Sequence, residues 1–268
     1  MFCTKLYVMK ILIFNSLDYG GAARSVKLLA KGLKEFGHEP VLVYTGTRDR
    51  ITHIDGIKTY YLKITNVYDA NQIKKRDYLN KAIWHFLDCY NIFNKKSILK
   101  IITDEQPDVV HTNILSGFSP IVWKIAKKAN IAVAHTLRCY YLLCPHTYMF
   151  NPKTSQNCPK QCLKCRLYSK PKKYQTKYVD AVVGVSKDIL DRVLSYKLFS
   201  KTKNQIYIYN PVKEVSDIPK DMFINKNLKF GFVGNFTPEK GLEQLLQAFE
   251  KIENPNIYLV QNKKQKIK

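Results

Sequence analysis

Short apolar segments alternate with amphipathic ones along most of the chain, and this alternation predicts its secondary structure. Apolar runs of roughly four to eight residues between polar turns are typical of buried strands, and apolar positions at helical spacing indicate helices. We predict strands at Ile11–Phe14, Pro40–Thr45, Gly56–Ile64, Pro107–Thr112, Ile131–His135, Ala181–Val185, Gln205–Tyr209, Leu228–Val233 and Asn256–Val260. Helical segments fall between them, with a long helical region at Tyr78–Thr103 that forms one helix or two. The alternation of strands and helices predicts an α/β fold with a parallel sheet covered on both faces.

The last part of the chain differs from this rhythm. Residues 213–227 are polar and contain Pro219, so they are predicted to be a linker. Residues 228–268 hold a single strand, helix and strand, and the apolar stripe of that helix runs from Leu242 to Ile252. One such unit cannot close a core by itself. We therefore expect that it adds to the first domain or that the chain stops inside a second domain.

Polar side chains collect where the predicted strands end. In open α/β sheets, ligands bind outside the carboxyl ends of the strands. Five polar strand ends are therefore candidates for one binding edge: Asn15, His111, His135, Ser186 and Asn210.

Gly20 and Gly21 lie in the polar turn between the first strand and the helix that follows it. Without side chains, their backbone N–H groups allow close approach of a phosphate or a sugar, and the helix N-terminus favours negative charge. An ordinary tight turn is the alternative interpretation of the same pair.

Composition limits the class of partner. The net charge is +23, but the 44 basic residues are 37 lysines and seven arginines spread along the chain. Because there is no Lys/Arg-rich run and few arginines to grip phosphates in two places, nucleic acid is not an expected partner. A solvated basic surface is the first expectation, and peripheral contact with an anionic membrane is the second. No transmembrane helix or signal peptide is predicted, so the expected compartment is cytoplasmic, with the inner face of the plasma membrane as an extension of it.

Four of the seven cysteines form a C-x13-C-x3-C-x2-C cluster: Cys144, Cys158, Cys162 and Cys165. Without a signal peptide, disulfides are not expected. Closely spaced thiolates suit tetrahedral zinc, so the cluster is a candidate structural zinc site, with His146 able to replace one ligand. Unrelated free thiols are the alternative.

With these motifs in hand, the chain resembles the nucleotide-sugar glycosyltransferases of family 4. The resemblance is carried by the Gly20–Gly21 turn after KILIF, the strand-end His135, AVVGVS at Ala181–Ser186, YNPV at Tyr209–Val212 and FVGNFTPEKGLEQLLQAF at Phe232–Phe249. It implies the GT-B architecture of two Rossmann-like domains. On this basis, residues 9–212 are the N-terminal, acceptor-side domain with a Cys-rich insertion at 139–172. Residues 228–268 begin a donor-side domain that is incomplete.

The resemblance also implies a reaction. A sugar passes from a nucleoside-diphosphate sugar to a saccharide or lipid-linked acceptor with retention, without a metal or other cofactor, in polysaccharide or glycoconjugate biosynthesis. Gly20 and Gly21 lie against donor phosphates or the acceptor, His135 approaches the transferred sugar, and Lys240 holds the departing diphosphate. Asn210 and Arg138 are further substrate contacts, Arg138 for an acceptor anion.

Two departures from the family pattern bear on activity. Asn235 stands near the position where the family usually carries Arg, so a second cation on the diphosphate is missing. The family's Glu-x7-Glu motif lies downstream of the Lys240 helix, beyond the last residue of this chain. We therefore expect a truncated enzyme that is inactive alone. The alternative is a non-enzymatic sugar- or lipid-binding module, or one half of a split enzyme.

Overall fold

A computed structural model of the protein describes residues 7–68, 77–151, 153–212, 228–234, 236–252 and 257–261. The chain divides into two compact units, Met1–Met149 with Lys160–Pro211 and Phe150–Pro159 with Val212–Lys268. The first unit ends beside the boundary that we predicted at residue 212. The predicted linker at 213–227 lies outside the described residues, so the domain assignment stays a prediction.

The described strands and helices follow the predicted alternation. The strands are β1 Lys10–Phe14, β2 Glu39–Gly46, β3 Arg50–Ile54, β4 Ile57–Lys63, β5 Val109–Thr112, β6 Ala132–Leu137, β7 Phe150–Asn151, β8 Gln156–Asn157, β9 Ala181–Gly184, β10 Asn204–Tyr207, β11 Leu228–Phe232 and β12 Ile257–Gln261. The helices are α1 Gly20–Glu35, α2 Tyr78–Leu87, α3 Lys95–Glu105, α4 Ile121–Lys128, α5 Leu163–Gln175, α6 Lys187–Ser195 and α7 Leu242–Phe249. None of these helices combines the length and apolar content that a bilayer-spanning segment needs.

The first unit is built on an eight-stranded sheet with the order β10-β9-β6-β5-β1-β2-β4-β3. Every neighbouring pair is parallel except β3 with β4. β1 lies near the middle, and its side chains from Leu12 to Phe14 are fully buried. The apolar run of β1 therefore reflects a strand covered on both faces, as expected for a parallel sheet. This confirms the predicted α/β class.

Four of the described strands and helices were not predicted from the sequence. β3 is an exposed edge strand whose sequence, RITHI, lacks an apolar run, and it turns back onto β4 at Asp55 and Gly56. α5 lies within the Cys-rich insertion and contains Pro171, so its composition indicated a loop. The two-residue strands β7 and β8 are too short for any periodicity to show. The helical region at 78–103 resolves into α2 and α3, separated by a short 3-10 turn at Ile92–Asn94.

The described part of the second unit contains two parallel strands, β11 and β12, the helix α7, and the short antiparallel pair of β7 and β8. A 3-10 turn at Pro238–Lys240 precedes α7, and Gly241 joins the two with a φ of 72°. Phe230 and Phe249 meet edge to face, with ring centroids 5.4 Å apart, so that α7 packs on β11.

Candidate functional site at the carboxyl edge of the sheet

The parallel strands bring several polar residues to one edge of the sheet. Phe14 of β1 pairs with Thr112 of β5, which in turn pairs with His135 of β6. Because these strands are in register, the residues just beyond them lie on the same edge: Asn15, Asn113 and Arg138, with Ser186 after β9 and Asn210 after β10. This is the position where α/β sheets bind ligands.

Arg138 is the centre of a hydrogen-bond network at this edge. Its Nε donates to Oδ1 of Asn113 at 2.7 Å, and its Nη1 donates to Oδ1 of Asn210 at 2.6 Å. Asn113 is fixed from its other end, because its Nδ2 donates to the carbonyl oxygen of Phe14 at 3.2 Å. The predicted substrate contacts Arg138 and Asn210 are thus brought together. Asn113, which was not predicted, is the buried link between them and the central strand.

The electrostatic environment of Arg138 is unusual for a cation. Burial lowers the pKa of its guanidinium to about 10. No carboxylate of the described residues forms an ion pair with it. The side chain therefore stays charged at neutral pH and relies on neutral oxygen acceptors.

The glycine turn is an open helix N-terminus. Gly20, with a φ of 85°, and Gly21 begin the 16-residue α1, whose N-cap residue Tyr19 provides no side-chain hydrogen bond to the helix. A Cβ at either glycine would meet no atom within 4 Å. Unsatisfied N–H groups and the positive end of the helix dipole therefore face open space.

The turn before α1 is anchored to the neighbouring strands. The Ser16 hydroxyl donates to the carbonyl oxygen of Ser116 at 2.6 Å, and the Thr45 hydroxyl donates to that of Ser16 at 2.6 Å. The Tyr61 hydroxyl donates to Oδ2 of Asp18 at 2.6 Å. These bonds fix the segment that leads into Gly20, so the helix N-terminus is pre-organised.

The structure buries His135, the residue predicted to approach the transferred sugar. Its side chain is 2% exposed, and its Nδ1 lies 2.9 Å from the Thr112 hydroxyl. Its ring packs against Trp123 and Phe199. Burial, with a further contribution from His111, lowers the pKa of His135 to about 3. His135 is therefore a neutral imidazole enclosed by aromatic rings, and the role predicted for it at the transferred sugar stays a prediction.

Two other strand-end residues are also engaged within the protein. Nε2 of His111 lies 2.8 Å from the Thr136 hydroxyl, and burial lowers the pKa of His111 to about 4. The Ser186 hydroxyl accepts the N–H of Ile189 and so caps α6. Of the five predicted strand ends, Asn210 is the one that joins the Arg138 network.

The remaining predicted donor contacts lie in the second unit. Lys240 is exposed at the end of the 3-10 turn before α7. The Thr237 hydroxyl donates to Oε1 of Glu239 at 2.7 Å, which steadies the start of that turn. Asn235 lies outside the described residues. The roles predicted for Lys240 and Asn235 stay predictions.

The cysteines of the insertion form a chain of hydrogen bonds. The Cys165 thiol is hydrogen-bonded to the sulfur atoms of Cys144 and Cys162. The Cys144 sulfur also accepts backbone N–H groups from His146 and Met149, and the hydrogen bond from Cys165 is the main cause that lowers its pKa to about 6. The hydrogen bond with Cys144, together with burial, raises the pKa of Cys165. Cys158 lies in the segment Phe150–Pro159 that groups with the second unit.

The described residues contain no group of three or more His, Cys, Asp or Glu side chains arranged to hold a metal ion. The six cysteines of the described residues are free thiols. The structural zinc therefore stays a prediction.

The chain is similar to known proteins in both sequence and fold. Residues 19–213 match the family model of Glycosyltransferase Family 4. A Klebsiella pneumoniae protein described as "Uncharacterized 42.6 kDa protein in cps region" is 37% identical over 242 residues. That match covers 88% of this chain and 64% of the relative, so the chain spans less than two thirds of its length.

Solved structures share the fold. A glycosyltransferase from Rickettsia africae superposes with a TM-score of 0.58 at 17% identity, covering 95% of this chain and 60% of that one. The catalytic domain of starch synthase IV from Arabidopsis thaliana gives 0.57 at 11% identity, covering 95% and 68%. MurG from Acinetobacter baumannii gives 0.51 at 14% identity, covering 96% and 62%. At these identities the likeness shows the fold alone, and it confirms the Rossmann-like sheet of GT-B type.

Proposed function

The chain belongs to glycosyltransferase family 4, and from that premise we propose that it takes part in transferring a sugar from a nucleoside-diphosphate sugar to a saccharide or lipid-linked acceptor. A polysaccharide as the end product is supported by the relative whose name places it in a cps region. The proposal includes retention of the anomeric configuration and transfer without a metal ion, as the family resemblance implies.

One observation carries the proposal: an uncapped helix N-terminus at Gly20 and Gly21 stands beside strand ends whose free groups are hydrogen-bond donors. A departing diphosphate develops negative charge. Fixed amide dipoles and a positioned cation stabilise that charge without reorganising during the reaction. The arrangement thus favours an anionic substrate over a neutral one.

Lys240 has a second part in the proposal. An exposed ammonium in the turn before α7 combines a full positive charge with the N-terminal end of a helix. We assign to Lys240 the role of stabilising the leaving diphosphate. Each well-placed hydrogen bond to a charged group contributes about 1.5–3 kcal/mol.

Membrane attachment completes the proposal, because a lipid-linked acceptor lies at a bilayer surface. α2 and α5 pack side by side: the Tyr168 hydroxyl donates to the carbonyl oxygen of Ala82 at 3.4 Å, and the rings of His85 and Tyr168 are 5.6 Å apart. The two helices expose large apolar side chains and carry lysines among them: Tyr78, Leu79, Phe86, Leu163 and Leu167, with Lys81, Lys164 and Lys170. We call this the α2–α5 surface. Apolar side chains interleaved with lysines fit an anionic bilayer surface.

The test of the proposed function uses a matched pair of glycine substitutions in one helix. Gly21→Ala places a methyl group in open space at the N-terminus of α1, where it blocks approach to the amides without straining the fold. Gly32→Ala adds the same methyl group in the middle of α1, again with no atom within 4 Å. Both changes should leave the fold intact or stabilise it by up to about 1 kcal/mol.

Release of nucleoside diphosphate from a panel of nucleotide sugars, with and without oligosaccharide acceptors, measures the activity. We expect Gly21→Ala to lose about tenfold or more in transfer or in donor binding, and Gly32→Ala to keep both. Proton NMR of the product reports the anomeric configuration, and the same assay with a chelator tests independence from metal. If the wild-type chain binds no nucleotide sugar, the proposed function is wrong; binding without consumption would agree with the expectation that the chain is inactive alone.

A further inference from the structure

The guanidinium of Arg138 is a partly buried cation with neutral partners. Two of its five N–H donors are satisfied, by the amide oxygens of Asn113 and Asn210. No ion pair compensates its charge within the described part of the chain. Proteins usually pair a cation that is removed from water, because an isolated buried charge costs several kcal/mol.

The two asparagines orient the guanidinium rather than neutralise it. The buried Asn113 amide is fixed on both sides, since its oxygen accepts from Arg138 and its nitrogen donates to Phe14. The exposed Asn210 gives its oxygen to Arg138 and keeps its NH2 group as a further donor. The groups left free in this network, Nη2 of Arg138 and Nδ2 of Asn210, are therefore all donors. An array of donors around a fixed cation is complementary to an oxyanion.

The neighbouring titratable groups do not compete with an anion. His135 is buried and His111 is partly buried, and both are neutral at pH 7 because burial lowers their pKa values to about 3 and about 4. His111 is engaged with Thr136 and His135 with Thr112. The positive charge at this point of the edge therefore belongs to Arg138 alone among the groups that the network contains.

We propose that Arg138, positioned by Asn113 and Asn210, binds a phosphoryl oxyanion of the substrate through its free guanidinium edge. That the anion belongs to a substrate rests on the proposed function, whereas the anion site itself does not. A planar guanidinium binds two oxygens of a phosphoryl group at once, which also fixes the direction of the bound molecule. The phosphoryl group can come from the donor's diphosphate or from a phosphate that links the acceptor to lipid.

The test measures binding of inorganic diphosphate by calorimetry to four forms of the chain. Arg138→Gln removes the charge and keeps hydrogen-bonding capacity. Asn210→Asp replaces the amide that accepts from Nη1 of Arg138 with a carboxylate of the same shape. This carboxylate forms an ion pair with Arg138 and so competes with an external anion. Arg166→Gln is the matched control, because Arg166 is exposed on α5 and does not belong to the network of Arg138, Asn113 and Asn210. Thermal unfolding verifies that each variant is folded.

We expect Arg138→Gln and Asn210→Asp each to weaken diphosphate binding about tenfold or more, and Arg166→Gln to leave it unchanged. Equal binding by all four forms, or equal weakening by all three substitutions, would overturn the proposal. Parallel titrations with uridine diphosphate and with geranyl phosphate identify whether the phosphoryl group comes from the donor or from the acceptor. The compound that resembles the physiological substrate should bind more tightly than inorganic diphosphate, and Arg138→Gln should remove that gain in affinity. This experiment measures anion binding and not sugar transfer. A failure of the proposed enzymatic function therefore does not decide whether Arg138 binds an anion, and a failure of anion binding does not decide whether the chain is an enzyme.

Discussion

The imidazole of His135 stacks on the phenyl ring of Phe199, with ring centroids 5.9 Å apart and planes inclined by 20°. Trp123 closes the other side, and its indole N–H donates to the same Thr112 hydroxyl that contacts the imidazole. His135 thus belongs to a buried aromatic cluster below the candidate site, and Arg138 is the cation that reaches the edge itself.

Buried neutral histidines should make the protein sensitive to acid. Burial lowers the pKa to about 4 for His85 and His111 and to about 3 for His135. Below the unfolded value of about 6.5, the unfolded chain takes up protons that the folded chain does not, so stability falls as pH falls and is unaffected above that value. At pH 5 the fully buried His135 should have cost about 2 kcal/mol, and the partly exposed His85 and His111 should have cost less because solvent screens them. Urea unfolding at pH 7, 6 and 5 should therefore show a steep loss of stability.

His135→Met isolates one of these contributions, because methionine fills the space with a flexible apolar chain. We expect the variant to lie within about 1.5 kcal/mol of the wild type at pH 7 and to lose about 2 kcal/mol less than the wild type on going to pH 5. His53→Gln, on the exposed strand β3, is the matched control. A variant with the same pH slope as the wild type would show that His135 is not the buried neutral group we describe.

A buried ion pair joins the Cys-rich insertion to the rest of the first unit. Nζ of Lys172 lies 3.5 Å from Oδ2 of Asp88, and both side chains are at most 3% exposed. Oδ1 of Asp88 accepts the N–H of Gly117, and Oδ2 accepts the Tyr141 hydroxyl at 2.7 Å. Lys172→Met leaves a buried carboxylate without its cation and should cost about 3–5 kcal/mol of unfolding free energy.

Burial raises the pKa of Asp88 despite the nearby Lys172, so burial already destabilises the charged carboxylate. When the lysine is removed, the carboxylate should take up a proton and become neutral. We therefore expect the double variant Asp88→Asn, Lys172→Met to recover much of the loss in a double-mutant cycle. Lys187→Met breaks the exposed pair with Asp191 and should cost less than about 1 kcal/mol, which makes it the control. Equal costs for the buried and the exposed lysine would contradict this account.

The sequence predicted the sheet well and the site in part, and the reasons differ. Buried parallel strands such as β1 are apolar throughout, so their pattern is visible without tertiary information. β3 and α5 were missed, because an exposed edge strand and a proline-containing helix are stabilised by neighbours that a local pattern does not include. The edge position was foreseen. Which polar residue reaches the edge was not predicted, since a local pattern does not show that His135 within β6 is buried and that Arg138 just beyond β6 is not.

The α2–α5 surface should bind anionic bilayers. Exposed Leu163 and Leu167 on α5 supply apolar contact, and Lys164 lies with its Nζ 4.7 Å from the centre of the Tyr78 ring, where it can reach lipid phosphates. We expect co-sedimentation with phosphatidylcholine–phosphatidylglycerol vesicles, weaker binding as salt is raised, and little binding to phosphatidylcholine alone.

Replacing Leu163 and Leu167 together by glutamine should weaken vesicle binding about tenfold or more, because each leucine loses part of about 1.5–3 kcal/mol of apolar burial. Both leucines are exposed, so folding should be unaffected. Ile51→Thr on β3 removes an exposed apolar side chain from the far edge strand of the sheet and serves as the control. Binding that is equal for all three proteins would place the membrane contact elsewhere.

The cysteines of the insertion should bind zinc. The sulfur atoms of Cys144 and Cys162 accept backbone N–H groups, from His146 for the first and from Cys165 for the second. Such bonds stabilise thiolates, and thiolate is the form that zinc binds. We expect protein purified without chelator to carry about one zinc ion per chain, released on acidification as the thiolates take up protons.

Cys165→Ser should abolish zinc binding, because it removes the thiol that is hydrogen-bonded to both Cys144 and Cys162. Cys89→Ala is the control, since Cys89 is buried outside the insertion and donates to the carbonyl oxygens of His85 and Tyr168. Metal analysis and thiol titration before and after a chelator distinguish the outcomes. Substoichiometric zinc in the wild type, with all thiols titrating freely, would reject the metal site.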